Sequence, residues 1–205
     1  MKTDLDTLVN NKNDSTPWIL GIDIGGTSLK ASCTSIDGKS IQDFALPTRD
    51  IDWTEVIDSL FTKVYQIAKN QNTLPSACAS TFPGILDGEG VIQGSPNLTS
   101  WQGIHLTRIL SEGLGCPATS LNDANAALLA ESLFREWPAD KTLILLTLGT
   151  GIGGGILING KPWYGKFGFA AELGHITAVP NGKKCGCGRR GCVEQYFGAI
   201  ALETQ

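Results

Sequence analysis

The sequence predicts an α/β protein of two lobes with mixed sheets around a shared cleft, and three observations carry that prediction. Short apolar runs of strand character alternate with stretches of helical periodicity. Strand, glycine turn and strand follow one another at residues 22–30 (IDIGGTSLK) and again at 148–156 (LGTGIGGGI). An echo of this kind suggests a duplicated unit. A length of 205 residues suits one large domain or two small ones.

The elements follow in order. Residues 1–16 (MKTDLDTLVNNKNDST) are polar and read as a flexible arm. Residues 18–24, 28–36 and 40–46 read as strands, with Asp37-Gly38 as the hairpin turn between the last two, an antiparallel meander. From Trp53 to Lys69 the residues Val56, Ile57, Leu60, Phe61, Val64, Ile67 and Ala68 keep helical spacing. A short buried strand at 77–82 stops at Pro83-Gly84, and a weak helix near 105–112 precedes a strand near 118–121. Asn122-Asp123 opens a helix whose apolar face is expected at Ala126, Ala130, Leu133, Phe134 and Trp137. An apolar strand at 142–148, a turn at 151–155, a returning strand at 156–159 and a helix at 193–202 complete the chain. The lobes are placed at 17–120 and 121–205, the second incomplete and holding a loop of special chemistry at 172–194.

Composition narrows the function. With 16 Lys and Arg against 20 Asp and Glu the formal charge is −4, which argues against a nucleic-acid or membrane partner held by charge. The longest strongly apolar run, Leu143–Leu148, is too short to span a bilayer, and the N-terminus lacks the apolar core of a signal peptide. A cytoplasmic protein is expected. Glycine is 25 of 205 residues, above the typical ~7%, so the backbone turns tightly or approaches something closely. Cys33, Cys78 and Cys116 are read as buried small hydrophobes, whereas Cys185, Cys187 and Cys192 crowd into eight residues.

Four motifs carry chemistry. Gly25, Gly26 and Thr27 after Asp23 make either a tight hairpin or a phosphate loop, in which Asp23 would hold hydrated Mg²⁺ and Thr27 or Lys30 would reach a phosphate. Gly149, Thr150, Gly151, Gly153 and Gly154 repeat the pattern with more glycine than a hairpin requires. Asn122, Asp123 and Asn125 cluster at a helix start, where a carboxylate either caps the helix or accepts a proton from a substrate hydroxyl. His175, Cys185, Cys187 and Cys192 have the types and spacing of a closed tetrahedral, structural Zn²⁺ site. Glu172 and Glu194 flank that segment, as solvated charge or as hydrogen-bond partners of a polyol. His105 is read as a surface or helix-face residue.

These segments resemble the ROK family (repressor, open reading frame, kinase). The matching stretches are GIDIGGTSLK at 21–30, TFPGILD and SPNLTSWQG within 81–103, LNDANAALLAE at 121–131, LGTGIGGGILING at 148–160 and ELGHITAVPNGKKCGCGRRGCVEQYFG at 172–198. The resemblance implies the actin/hexokinase-like ATPase fold (ribonuclease H-like) and ATP-dependent phosphorylation of a hexose, most simply glucose. It implies that both glycine turns line the ATP phosphates, with Asp23 near Mg²⁺. It makes Asp123 the general base, and Gly84, Asn97, Asn122, Glu172, His175 and Glu194 the sugar contacts. His175 then serves zinc with one ring nitrogen and sugar with the other, a common division for a metal-bound imidazole.

Two departures stand out. The family commonly has Gly where this chain has Ala171. Family kinases also continue past the Cys motif with part of the adenine pocket, so the 205-residue chain is expected to bind sugar better than nucleotide and to self-associate as a homo-oligomer. The alternative to a kinase is a sugar-binding regulator or a catalytically impaired relative.

Overall fold

The computed structural model describes residues 16–166 and 168–203; the arm expected at 1–16 lies outside them except for Thr16. The chain divides into two compact units at the Asn122–Asp123 junction.

In the first unit, β1 (Trp18–Ile24), β2 (Ser28–Ser35) and β3 (Ser40–Pro47) form the antiparallel meander. Alternation along β1 sends Trp18, Leu20, Ile22 and Ile24 inward, each 3% exposed or less. Helix α1 (Trp53–Gln71) crosses back to β4 (Ala77–Phe82), which pairs parallel with β1. Its start is fixed by Asp52, whose side chain accepts the Thr54 N–H, and its end by Asn72 in the left-handed region. A small hairpin of β5 (Ile85–Leu86) and β6 (Ile92–Gly94) and helix α2 (Leu106–Leu114) lead to β7 (Ala118–Asn122), parallel to β4. The sheet order is β3-β2-β1-β4-β7. Val56, Leu60 and Val64 of α1 and Leu106, Leu110 and Leu114 of α2 join the inward strand residues in one core. Cys33, Cys78 and Cys116 lie within it, and burial pushes the thiols of Cys33 and Cys78 up to about 11 and 12.

The second unit is built on α3 (Asp123–Phe134), β8 (Leu143–Leu148), β9 (Ile152–Ile158) and β10 (Lys161–Pro162), with sheet order β10-β9-β8. Three expectations are corrected here. Helix α3 stops at Phe134 and buries Ala124, Asn125 and Leu128; Leu133 and Phe134 are 71% and 86% exposed, and Trp137 lies beyond the helix. Small residues at the helix start let it lie close on β9, so its inward face is not the one its largest apolar side chains mark. The turn expected at 151–155 is mostly strand: Gly153, Gly154 and Gly155 pair with Thr147, Leu146 and Leu145. The C-terminal helix is two short ones, α4 (Glu194–Phe197) and α5 (Ala199–Glu203), separated by the extended Gly198.

Candidate functional site

Parallel strands β1, β4 and β7 all finish at one edge of the first sheet, so the loops that follow them gather there. This is where open α/β sheets characteristically bind ligands. Gly25–Thr27 follows β1, and Gly25 N–H closes the turn on Ser28 O at 2.9 Å. Asp23 sits two residues earlier, and its Oδ1 accepts the Thr81 hydroxyl at 2.6 Å. Gly26 is packed against Asn97: a Cβ there would stand 3.0 Å from Asn97 Cβ. Pro83-Gly84 follows β4, and Asn122 at the end of β7 donates its amide to Gly84 O at 3.0 Å. Lys30 is not brought to the Gly26–Thr27 cavity. It pairs in register with Asp23 and lines a different concavity with Asp43 and Phe44.

In the second unit Asp123 begins α3 and its Oδ1 accepts the Ala124 N–H at 2.8 Å. A carboxylate at a helix N-terminus faces the positive end of the helix dipole. Glu172 and His175 bracket a 3-10 turn, Leu173–His175, that brings His175 Nε2 to 3.7 Å from Glu172 Oε2. On the other side of the ring, His175 Nδ1 lies 3.3 Å from Glu194 Oε1. Burial raises the Glu172 pKa; His175 opposes the shift, while the carboxylates of Asp123 and Glu194 add to it. Asp123, Glu172, His175 and Glu194 thus share one electrostatic neighbourhood.

The four sulfur and nitrogen atoms of His175, Cys185, Cys187 and Cys192 lie within 4.8 Å of one another. Cys185 Sγ is 3.5 Å from His175 Nδ1, and Cys187 Sγ is 3.7 Å from Cys192 Sγ. Tetrahedral Zn²⁺ with ordinary bond lengths has S···N and S···S edges of about 3.6 and 3.8 Å. The donor set fits zinc in type and these two edges fit it in length, and the Cys187–Cys192 separation is far too long for a disulfide. Bridges Thr177–Cys192 and Lys184–Arg190 fold the segment, and Gly188 and Gly191 turn it at φ 86° and 81°. Cys185 also donates to Glu194 Oε1 at 2.9 Å, and burial with that bond pushes its thiol up to about 12.

The second glycine turn is shorter than its sequence suggests. Only Gly149, Thr150 and Gly151 lie between β8 and β9. Ala199 N–H donates to Gly149 O at 2.8 Å, and Glu194 Oε2 would stand 2.7 Å from a Cβ on Gly151. Gly153 and Gly154, expected at the phosphates, lie within β9. A side chain on Gly153 would meet Thr147 Oγ1 at 2.5 Å, and one on Gly154 would collide with the Ala171 carbonyl. Both glycines permit close packing.

Two features go beyond what the sequence carried: the backbone conformation at Ala171 and the position of Arg49. Ala171, buried, has φ 70°, the left-handed conformation that glycine adopts without cost. Arg49 donates from Nη2 to Thr27 Oγ1 at 3.1 Å, across 22 residues that carry no motif. For Ala171 the signal was there, in a family glycine replaced by alanine; for Arg49 there was none.

Residues 19–205 match the ROK family. A glucokinase of Thermotoga maritima is 35% identical over 186 residues, covering 90% of this chain and 58% of the relative. An N-acetylmannosamine kinase of Shigella flexneri is 37% identical over 179 residues, covering 86% and 60%. A ROK family glucokinase from Streptomyces griseus, solved in complex with glucose and AMPPNP, superposes with a TM-score of 0.71 at 34% identity, covering 90% of this chain and 58% of that one. The chain thus spans about 58% of the length of its glucokinase relatives.

Proposed function

Since the chain belongs to the ROK family, we infer that it carries sugar-binding and phosphoryl-transfer machinery of an ATP-dependent hexose kinase, converting glucose to glucose 6-phosphate. Its fold is that of the actin-like ATPases, with the mixed β3-β2-β1-β4-β7 sheet in the first unit. The observation that carries the functional reading is the gathering of Asp123, Glu172, His175 and Glu194 in one neighbourhood.

Asp123 is the general base. As the sugar 6-oxygen forms its bond to the γ-phosphorus and the bond to the ADP oxygen breaks, the hydroxyl proton passes to the Asp123 carboxylate. The Ala124 N–H orients that carboxylate at the start of α3. Glu172, His175 and Glu194 hydrogen-bond the other hydroxyls, and the resemblance adds Asn97, Gly84 and Asn122 as sugar contacts. The Gly25–Thr27 and Gly149–Gly151 turns line the phosphates of ATP, with the Gly25 and Gly149 N–H groups closing the turns on Ser28 O and Gly151 O and the N–H groups of the residues between them left as the donors. Asp23 is an exposed carboxylate at a strand end, a donor that suits hydrated Mg²⁺, which supplies neutralisation of phosphate charge when bound. Zn²⁺ on His175, Cys185, Cys187 and Cys192 is structural, since four protein ligands leave no open position.

Ile144, Leu146 and Leu148 of β8 are 54–76% exposed, which supports self-association into a homo-oligomer. Among the described residues no helix is long and apolar enough to cross a membrane. A coupled assay across a sugar panel tests the substrate. Turnover of glucose, with fructose and N-acetylmannosamine inert, supports the proposal; N-acetylmannosamine turnover with glucose inert overturns the glucose assignment.

A further inference from the structure

We propose that Arg49 supplies a phosphoryl-binding guanidinium to the cavity beside the Gly25–Thr27 turn. The inference rests on reading that turn as a phosphate loop. A cavity of about 740 Å³ lies between Gly26-Thr27, the loop 48–52 and the segment 97–100, and Arg49 is the one cation among its lining residues. The loop is built onto the turn: buried Thr48 donates its hydroxyl to Gly25 O at 2.6 Å and its N–H to Thr27 O at 3.1 Å. That places the next residue, exposed Arg49, with one guanidinium nitrogen on the Thr27 hydroxyl at 3.1 Å.

One hydrogen bond between exposed side chains adds little to stability against the entropy of holding an arginine still. Among the described residues no carboxylate forms an ion pair with Arg49. Asp52 instead holds the Thr54 N–H and hydroxyl at 2.9 and 2.6 Å. A guanidinium with donors to spare, tied to a turn of small residues and facing a cavity edged by the Thr99 and Ser100 hydroxyls, suits the oxygens of a phosphoryl group. Asp50 and Asp52 also line the cavity and repel a bare anion, so a phosphoryl group that brings its own divalent cation fits best. Two sources share this chemistry when magnesium is present: the triphosphate of a magnesium-bound nucleotide and the magnesium-bound ester of a sugar phosphate.

Calorimetric titration of the 205-residue chain and its Arg49→Gln variant with magnesium-AMPPNP and, with magnesium present, with glucose 6-phosphate separates them. The expected result is a loss of about 10- to 100-fold in affinity for one ligand in R49Q, the scale of a hydrogen bond to a charged group. The ligand affected identifies the source. Arg49→Lys, which keeps the charge but not the fork, should lose less, and this second variant carries the test if R49Q melts more than about 2 °C below the parent. Parental binding of both ligands in R49Q, within about twofold, overturns the role of Arg49 and leaves the phosphate turn standing. Failure of the parent chain to bind either ligand overturns both.

Discussion

Nε2 of His175 lies 3.7 Å from the Glu172 carboxylate while Nδ1 of the same ring lies 3.5 Å from Cys185 Sγ. One imidazole therefore joins the cysteine knot to the carboxylates assigned to sugar. If zinc fixes Nδ1, it also fixes the ring and the direction of Nε2. Protein purified without added metal should contain one Zn²⁺ per chain by elemental analysis. Removing it with a chelator should lower the melting temperature by at least about 5 °C and weaken glucose binding together with it. Metal-free protein with three freely titrating thiols in the knot would refute the site.

Ala171 holds a left-handed backbone at φ 70° in a buried position immediately before Glu172. A Cβ in that region costs roughly 1 kcal/mol. Ala171→Gly should therefore stabilise the protein by about 1 kcal/mol, or about 2–4 °C, read by thermal or urea denaturation. An unchanged or lowered midpoint would mean that the alanine methyl packs well enough to offset its strain.

The Ala171 carbonyl occupies the space that a side chain on Gly154 would need. Gly154→Ala should destabilise by about 1–3 kcal/mol, because neither the β9 ladder nor the 171–175 segment can yield without moving the other. The same variant separates packing from phosphate binding. A lower denaturation midpoint with unchanged nucleotide affinity fits the packing role, whereas lost nucleotide affinity at full stability fits a phosphate contact.

Glu172 has a raised pKa from burial, with Asp123 and Glu194 adding to it against the pull of His175. A carboxyl whose folded pKa exceeds its unfolded one holds more protons when folded, so its contribution to stability falls as pH rises through the folded value. Glu172→Gln should therefore melt higher than the parent at pH 7, with the gap closing as pH falls towards the ordinary carboxylate range. Sugar affinity should fall in the same variant, the usual opposition of stability and function at a binding site. A gap that fails to close as pH falls through the ordinary carboxylate range would contradict the shift.

Much of the first unit was legible because its signals are periodic. Alternation marks β1 and β2, and the spacing of Val56, Leu60 and Val64 marks α1. Asp37-Gly38 marks the hairpin, with Gly38 at φ 87°. The second unit was harder to read because a glycine that lets a chain turn and one that lets two elements touch are the same letter. Gly149 and Gly151 serve the turn, while Gly153–Gly155 serve the contact with α3 and with Ala171. Helix α3 misled for a related reason, since Ala124 and Asn125 pack and the larger Leu133 and Phe134 stay exposed. Arg49 could not be found at all, because its partner Thr27 is near it only after β2 and β3 have folded.

The central claim is that Asp123 takes the proton of a hexose hydroxyl during phosphoryl transfer from ATP. Single-turnover transfer from radiolabelled ATP, with protein in excess over nucleotide and glucose present, tests it most directly because even slow chemistry registers. With nucleotide expected to bind the 205-residue chain weakly, any labelled glucose 6-phosphate should form slowly, and about 10²- to 10⁴-fold more slowly still with Asp123→Asn, which should retain glucose binding. Transfer by Asp123→Asn at the parental rate would contradict that role.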